Sequence, residues 1–77
     1  MKASINKDFI ILFGKNLRRI RESKNMSMQT LADSINVEYS QISRIERGLI
    51  NTSIGITYEL AKALEIDIKE LFDFPIK

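Results

Sequence analysis

Apolar residues recur at helical spacing along most of this chain. Phe9, Phe13, Leu17 and Ile20 lie four, four and three residues apart, forming one stripe of a helix predicted from about Lys7 to Lys24. Lys15, Arg18, Arg19 and Glu22 fall off that stripe. Gly14 inside the helix costs about 1 kcal/mol of propensity, which close packing against another element would explain. Asn25 suits a left-handed cap at its end. Ser27 is a good N-cap for a second helix over Met28–Ser34, whose buried face is Leu31, Ala32 and Ile35. Asn36 tolerates positive φ and bends the chain out of that helix.

A third helix over Tyr39–Arg47 turns Ile42 and Ile45 inward, and Gly48 takes the left-handed position after it. A loop over Leu49–Thr52 leads to a fourth helix, about Ser53 to Leu64, which buries Ile56, Leu60, Ala61 and Leu64. Asp67-Ile68-Lys69-Glu70 has capping-box spacing and opens a fifth helix ending near Phe72, with Pro75 closing the fold. No segment alternates apolar with polar residues as a strand does. The expectation is an all-α, compact five-helix bundle.

Composition narrows the chemistry. The 77 residues make one domain near the lower size limit for a single core, and they include no Cys and no His. Disulfides, thiolate or imidazole metal sites and a histidine general base are therefore excluded, and no cofactor or metal is expected. Glu65 and Asp67 read as solvated surface rather than a catalytic pair, so an enzyme is disfavoured. The longest apolar run, Phe9–Phe13, is too short to span a bilayer and is followed by a basic stretch rather than a small-residue cleavage site, and the chain reads as cytoplasmic. Residues 1–48 carry nine Lys/Arg against five Asp/Glu, whereas residues 49–77 carry three against five. The basic side, concentrated in Lys15, Arg18, Arg19, Arg21 and Lys24, fits either a polyanion-facing surface or a solvated helix face.

The second and third helices decide between those readings. A short helix, a tight turn and a second helix at a steep angle let the latter protrude into a DNA major groove. Ala32 supplies the small residue where the helices meet and Asn36 the turn. Leu31, Ile35, Val37, Ile42 and Ile45 supply the anchors. The outer face of the third helix carries polar groups with reach: Glu38, Tyr39, Ser40, Gln41, Ser43, Arg44 and Arg47.

Residues 13–72 resemble the phage-repressor type of helix-turn-helix domain, the Cro-like or XRE-like family with a lambda-repressor-like fold. The matching stretches are Phe13–Arg21, Leu31-Ala32, Gln41–Gly48, Asn51–Ile54 and Leu60–Leu64, in order and at the family's spacing. Residues 1–12 then form an N-terminal helix extension and 73–77 a short tail on a single domain. The resemblance implies that Tyr39, Ser40 and Arg44 face base edges, with Glu38 at the entrance of the recognition helix. Arg44 suits guanine O6/N7. Glu38 suits cytosine N4 or a helix cap, and Tyr39 a thymine methyl, a phosphate or packing across the helix end. It further implies phosphate contacts from Ser27, Gln29, Ser43, Arg47 and Asn51, with Gln41 in either class. Arg21 and Glu46 match positions paired in a partly buried salt bridge.

Three positions depart from the family pattern. Met28 stands where Gln is common, Leu49-Ile50 where Lys or Arg is common, and Thr52 where Pro is frequent, Thr being able to cap the next helix. A weakened phosphate grip and a modest salt dependence follow. Family members bind palindromic operators as homodimers, so a homodimer on double-stranded DNA is expected. The candidate interface is Leu49, Ile50, Phe72, Phe74 and Ile76, with Ile10 or Ile11 in addition. Alternatively, Phe74 and Ile76 fold back on the first helix. The functional expectation is a transcriptional regulator acting as a repressor or autoregulator. A restriction–modification controller protein and the antitoxin of a toxin–antitoxin pair are the variants within that class. A helical protein-interaction module without DNA binding is the reading from another class, favoured by Met28, Leu49 and Ile50.

Overall fold

A computed structural model of the chain describes residues 6–76, so residues 1–5 of the expected N-terminal extension lie outside it. Four α-helices follow one another: α1 (Lys7–Ser23), α2 (Met28–Ser34), α3 (Tyr39–Glu46) and α4 (Ile54–Leu64). The expected fifth helix is a 3-10 helix, Ile68–Phe72, rather than an α-helix. Its five residues give too few α-type bonds to offset nucleation. Its start carries the expected capping box, with the Asp67 amide donating to Glu70 Oε2 at 3.2 Å. No strand occurs among the described residues.

All four α-helices stop in the same way. A left-handed residue follows each of them: Asn25 (φ 56°), Asn36 (φ 59°), Gly48 (φ 71°) and Glu65 (φ 57°). The next amide then reaches back five residues: Met26 to the Arg21 carbonyl, Val37 to Ala32, Leu49 to Arg44 and Ile66 to Ala61. This Schellman arrangement satisfies the orphan carbonyls and reverses the chain within two residues. Helix starts are more varied. Ser27 Oγ accepts from the Thr30 amide and Ser53 Oγ from the Ile56 amide, whereas Glu38 makes no side-chain cap. Thr52 caps nothing: Ser53 takes that role, and Thr52 Oγ1 is buried without a partner.

One core joins the elements. Leu17, Leu31, Ile42, Ile45, Leu60, Leu64 and Leu71 are fully buried, with Phe13, Ile20, Ala32 and Ala61 around them. Ile56, expected inside, is half-buried, and Thr57 is buried instead, its hydroxyl donating to the Ser53 carbonyl. Asn16 is also buried. Its Nδ2 donates to the carbonyls of Glu70 and Leu71, both at 2.9 Å, tying α1 to the 3-10 helix. An aromatic cluster closes the same end, with Phe72 5.2 Å from Phe13 and Phe74 5.4 Å from Phe9, centroid to centroid.

Candidate nucleic-acid interface

The site is built on α3, whose orientation α1 sets from behind. A Cβ placed on Gly14 would lie 2.3 Å from the Ile45 carbonyl oxygen and 2.7 Å from that of Glu46. Glycine here is the condition for α1 and α3 to touch backbone to backbone. Two turns further along α1, the helices are joined through side chains. Arg21 Nε donates to Glu46 Oε2 at 2.6 Å and Nη2 to Oε1 at 3.0 Å, a side-on bidentate pair. Arg21 Nη1 donates to the Met26 carbonyl at 2.7 Å, so one guanidinium holds α1, α3 and the turn before α2. Both residues are buried. The hydrogen bond to Glu46 raises the Arg21 pKa above its ordinary value despite the opposing effect of burial.

α2 fixes the other side. Leu31 and Ala32 are buried, Ile35 and Val37 pack against the core, and the left-handed Asn36 aims the chain into α3. Glu38, Tyr39, Ser40 and Arg44 then lie exposed on α3 or at its entrance. Because Glu38 makes no cap, its carboxylate is free at the helix entrance. Tyr39 is 45% exposed.

The residues matched to phosphate contacts are distributed around this face. Gln41 and Ser43 are half-buried, and Arg47 and Asn51 are exposed after α3. Arg47 Nε leans back on the Ser43 carbonyl at 3.4 Å. Ser27 and Gln29 are exposed at the start of α2, yet both have internal partners. Ser27 Oγ donates to Thr30 Oγ1 at 2.9 Å, and Gln29 Nε2 to Asp33 Oδ1 at 2.9 Å. Met28 packs against the core, which accounts for an apolar residue in this position. Sequence reasoning missed Asn16, which secures the scaffold; an Asn among charged helix positions carries no signal of burial.

The apolar candidates divide. Leu49 (60%), Phe72 (42%) and Ile76 (66%) are exposed, whereas Ile50 and Phe74 pack against the core. Phe74 folds back onto Phe9 of α1, the alternative to an interface role. Ile54 (86%) and Tyr58 (54%), one turn apart on α4, are exposed apolar residues absent from the expected set. No described helix is long and apolar enough to cross a membrane.

Known proteins share this arrangement. A helix-turn-helix family model matches residues 17–71. The control protein C.BamHI of Bacillus amyloliquefaciens is 43% identical over 65 residues, covering 83% of this chain and 80% of that protein. The crystal structure of the restriction-modification controller protein C.AhdI from Aeromonas hydrophila superposes with a TM-score of 0.80 at 38% identity. That match covers 82% of this chain and 96% of the other. An HTH-type transcriptional regulator of Sinorhizobium fredii, y4wC, is 32% identical over 60 residues, covering 78% of this chain but 42% of that protein. Matched over most of its length in sequence and in structure, the chain belongs to the helix-turn-helix family.

Proposed function

We propose that the chain is a sequence-specific DNA-binding transcriptional regulator of the restriction–modification controller type, acting in the cytoplasm on a palindromic operator. One observation carries this: an exposed polar edge, Glu38, Tyr39, Ser40 and Arg44, rides on a helix held immobile by Gly14 and the Arg21–Glu46 pair. The two controller relatives, each matched over four-fifths or more of its own length, support the finer reading.

In this reading α3 enters the major groove. Arg44 pairs with guanine, and the uncapped Glu38 accepts from cytosine N4. Ser27, Gln29, Gln41, Ser43, Arg47 and Asn51 contact phosphates and set the register. Ser27 and Gln29 exchange their internal bonds for phosphate oxygens on binding. A single domain of this size covers only one half-site, so the protein binds as a two-fold dimer. The dimer buries exposed apolar residues: Leu49, Phe72 and Ile76 from the expected set, joined by Ile54 and Tyr58 on α4. Ile50 borders that surface from its half-buried place.

Selection from random duplexes with the purified protein tests the proposal, with the duplex upstream of its own coding sequence as a direct probe. An enriched palindrome is expected, and Arg44→Ala loses about 5- to 150-fold discrimination at one symmetric base pair, equivalent to about 1–3 kcal/mol. Absence of enrichment at low salt would overturn it in favour of a protein-interaction module.

A further inference from the structure

Residues 7–16 of α1 precede the stretch that matches the family model. Lys7, Ile11, Gly14, Arg18 and Arg21 are spaced four, three, four and three apart, so they share one face of α1. That face lies on α3: Arg21 meets Glu46, and Gly14 meets the Ile45 and Glu46 carbonyls. Ile11 meets the exit of α3, where a Cβ on Gly48 would fall 2.6 Å from Ile11 Cγ1. Since α3 ends at Glu46, the stripe outruns it by a turn. Lys7 is carried alongside the α3–α4 loop, where it shares one cleft with Ile11, Arg47, Leu49, Ile50 and Asn51. Among the described residues, no acidic side chain lines that cleft.

Among the described residues Lys7 makes no ion pair. It is exposed, and it occupies the first residue of α1, where the helix dipole disfavours a cation. Ile11 against Gly48 holds its backbone firmly beside Arg47. The apolar floor of Ile11, Leu49 and Ile50 suits the methylene stem while the ammonium stays at the rim.

We propose that Lys7 binds a backbone phosphate of the duplex that α3 reads. With Arg47 and Asn51 it grips the strand beside the recognition helix and supplies the positive charge that Leu49 and Ile50 lack. The proposal rests on the DNA-binding reading above. A phosphate contact raises affinity for every sequence alike and steepens the salt dependence, without altering base preference.

The test is fluorescence anisotropy on the selected duplex and on a scrambled duplex of equal length, at several salt concentrations. The proteins compared are wild type, Lys7→Gln, Lys7→Arg and, on the 3-10 helix, Lys69→Gln. Removing a cation from a helix start does not weaken α1, so Lys7→Gln stays folded. Its salt slope is expected to fall by about 0.9 per protomer. Across a fourfold rise in salt, wild type then loses about 3.5-fold more affinity per protomer than Lys7→Gln. Lys7→Arg restores the slope, Lys69→Gln leaves it unchanged, and both duplexes lose affinity equally. If wild type binds and Lys7→Gln keeps the wild-type slope, this inference is overturned and the DNA-binding reading survives. If wild type binds neither duplex, both are overturned.

Discussion

Replacing Gly14 with alanine is expected to destabilise the domain although alanine is the better helix former. In isolation the change favours α1 by about 1 kcal/mol. The added methyl, however, would sit 2.3, 2.7 and 2.9 Å from Ile45 O, Glu46 O and Glu46 C. These are backbone atoms inside a packed helix and cannot swing aside, so α1 must retreat by about 1 Å. A gap of that size forfeits a quarter to a half of each dispersion contact across the seam, and overpacking of this kind costs about 1–3 kcal/mol. Retreat also stretches the 2.6 Å Arg21–Glu46 bond. We place the net loss at about 2 kcal/mol, or a fall in melting temperature of roughly 8–16 °C for a domain of this size. Urea unfolding followed by circular dichroism measures it, with an unchanged m-value as the sign that only stability moved. Gly55→Ala is the matched comparison: its new methyl meets nothing closer than Ser53 Oγ at 3.9 Å, so it is expected to gain about 0.5–1 kcal/mol. A Gly14→Ala protein as stable as wild type would refute the backbone-contact reasoning.

Glu46→Ala leaves the buried Arg21 guanidinium without its carboxylate and is expected to cost about 3–5 kcal/mol, while the double variant Arg21→Met, Glu46→Leu recovers most of that in thermal unfolding. Because the Arg21 pKa is raised from an already high value, its share of the pair is complete below that range. It fades only above it, so titration from pH 6 to 9 should show no loss traceable to Arg21. Thr52→Val removes a buried hydroxyl that has no partner and should stabilise by about 1 kcal/mol in chemical denaturation. Glu65→Gly relieves a left-handed non-glycine residue and should gain about 0.5–1 kcal/mol, whereas Glu65→Pro should destabilise strongly.

The helices and three of the four helix stops were legible because they rest on rules with few exceptions. Asn25, Asn36 and Gly48 belong to the residue types that enter the left-handed region cheaply, and each falls just after an apolar stripe ends. Glu65 is different: it makes the same turn without a local preference for it, and Ile66, next in the chain, packs against the core. The fifth element was legible in its cap but not in its helix type, since Asp67 and Glu70 set the start while length sets the hydrogen-bond pattern. The face of α3 proposed to read bases was legible as an exposed polar edge opposite Ile42 and Ile45. What that edge rests on was less so, because Asn16 acts through contacts 54 and 55 residues away. Ile54 and Tyr58 were missed as surface residues because an apolar residue on a short helix reads as core until its neighbours are known.

Asn16 also sets the order in which the molecule can be completed. α2 and α3 lie next to each other in the chain and can pair as soon as both exist. α1 can pair with α3 through Arg21 and Glu46 once α3 exists, but its Asn16 anchor waits until Leu71 has been made and has turned back to receive the Asn16 amide. During synthesis α3 therefore emerges before the last anchor of the frame behind it, the Glu70 and Leu71 carbonyls that hold Asn16. A nonsense codon between Arg47 and Leu71 would leave every residue of α3 in place and still remove the two carbonyls that Asn16 holds.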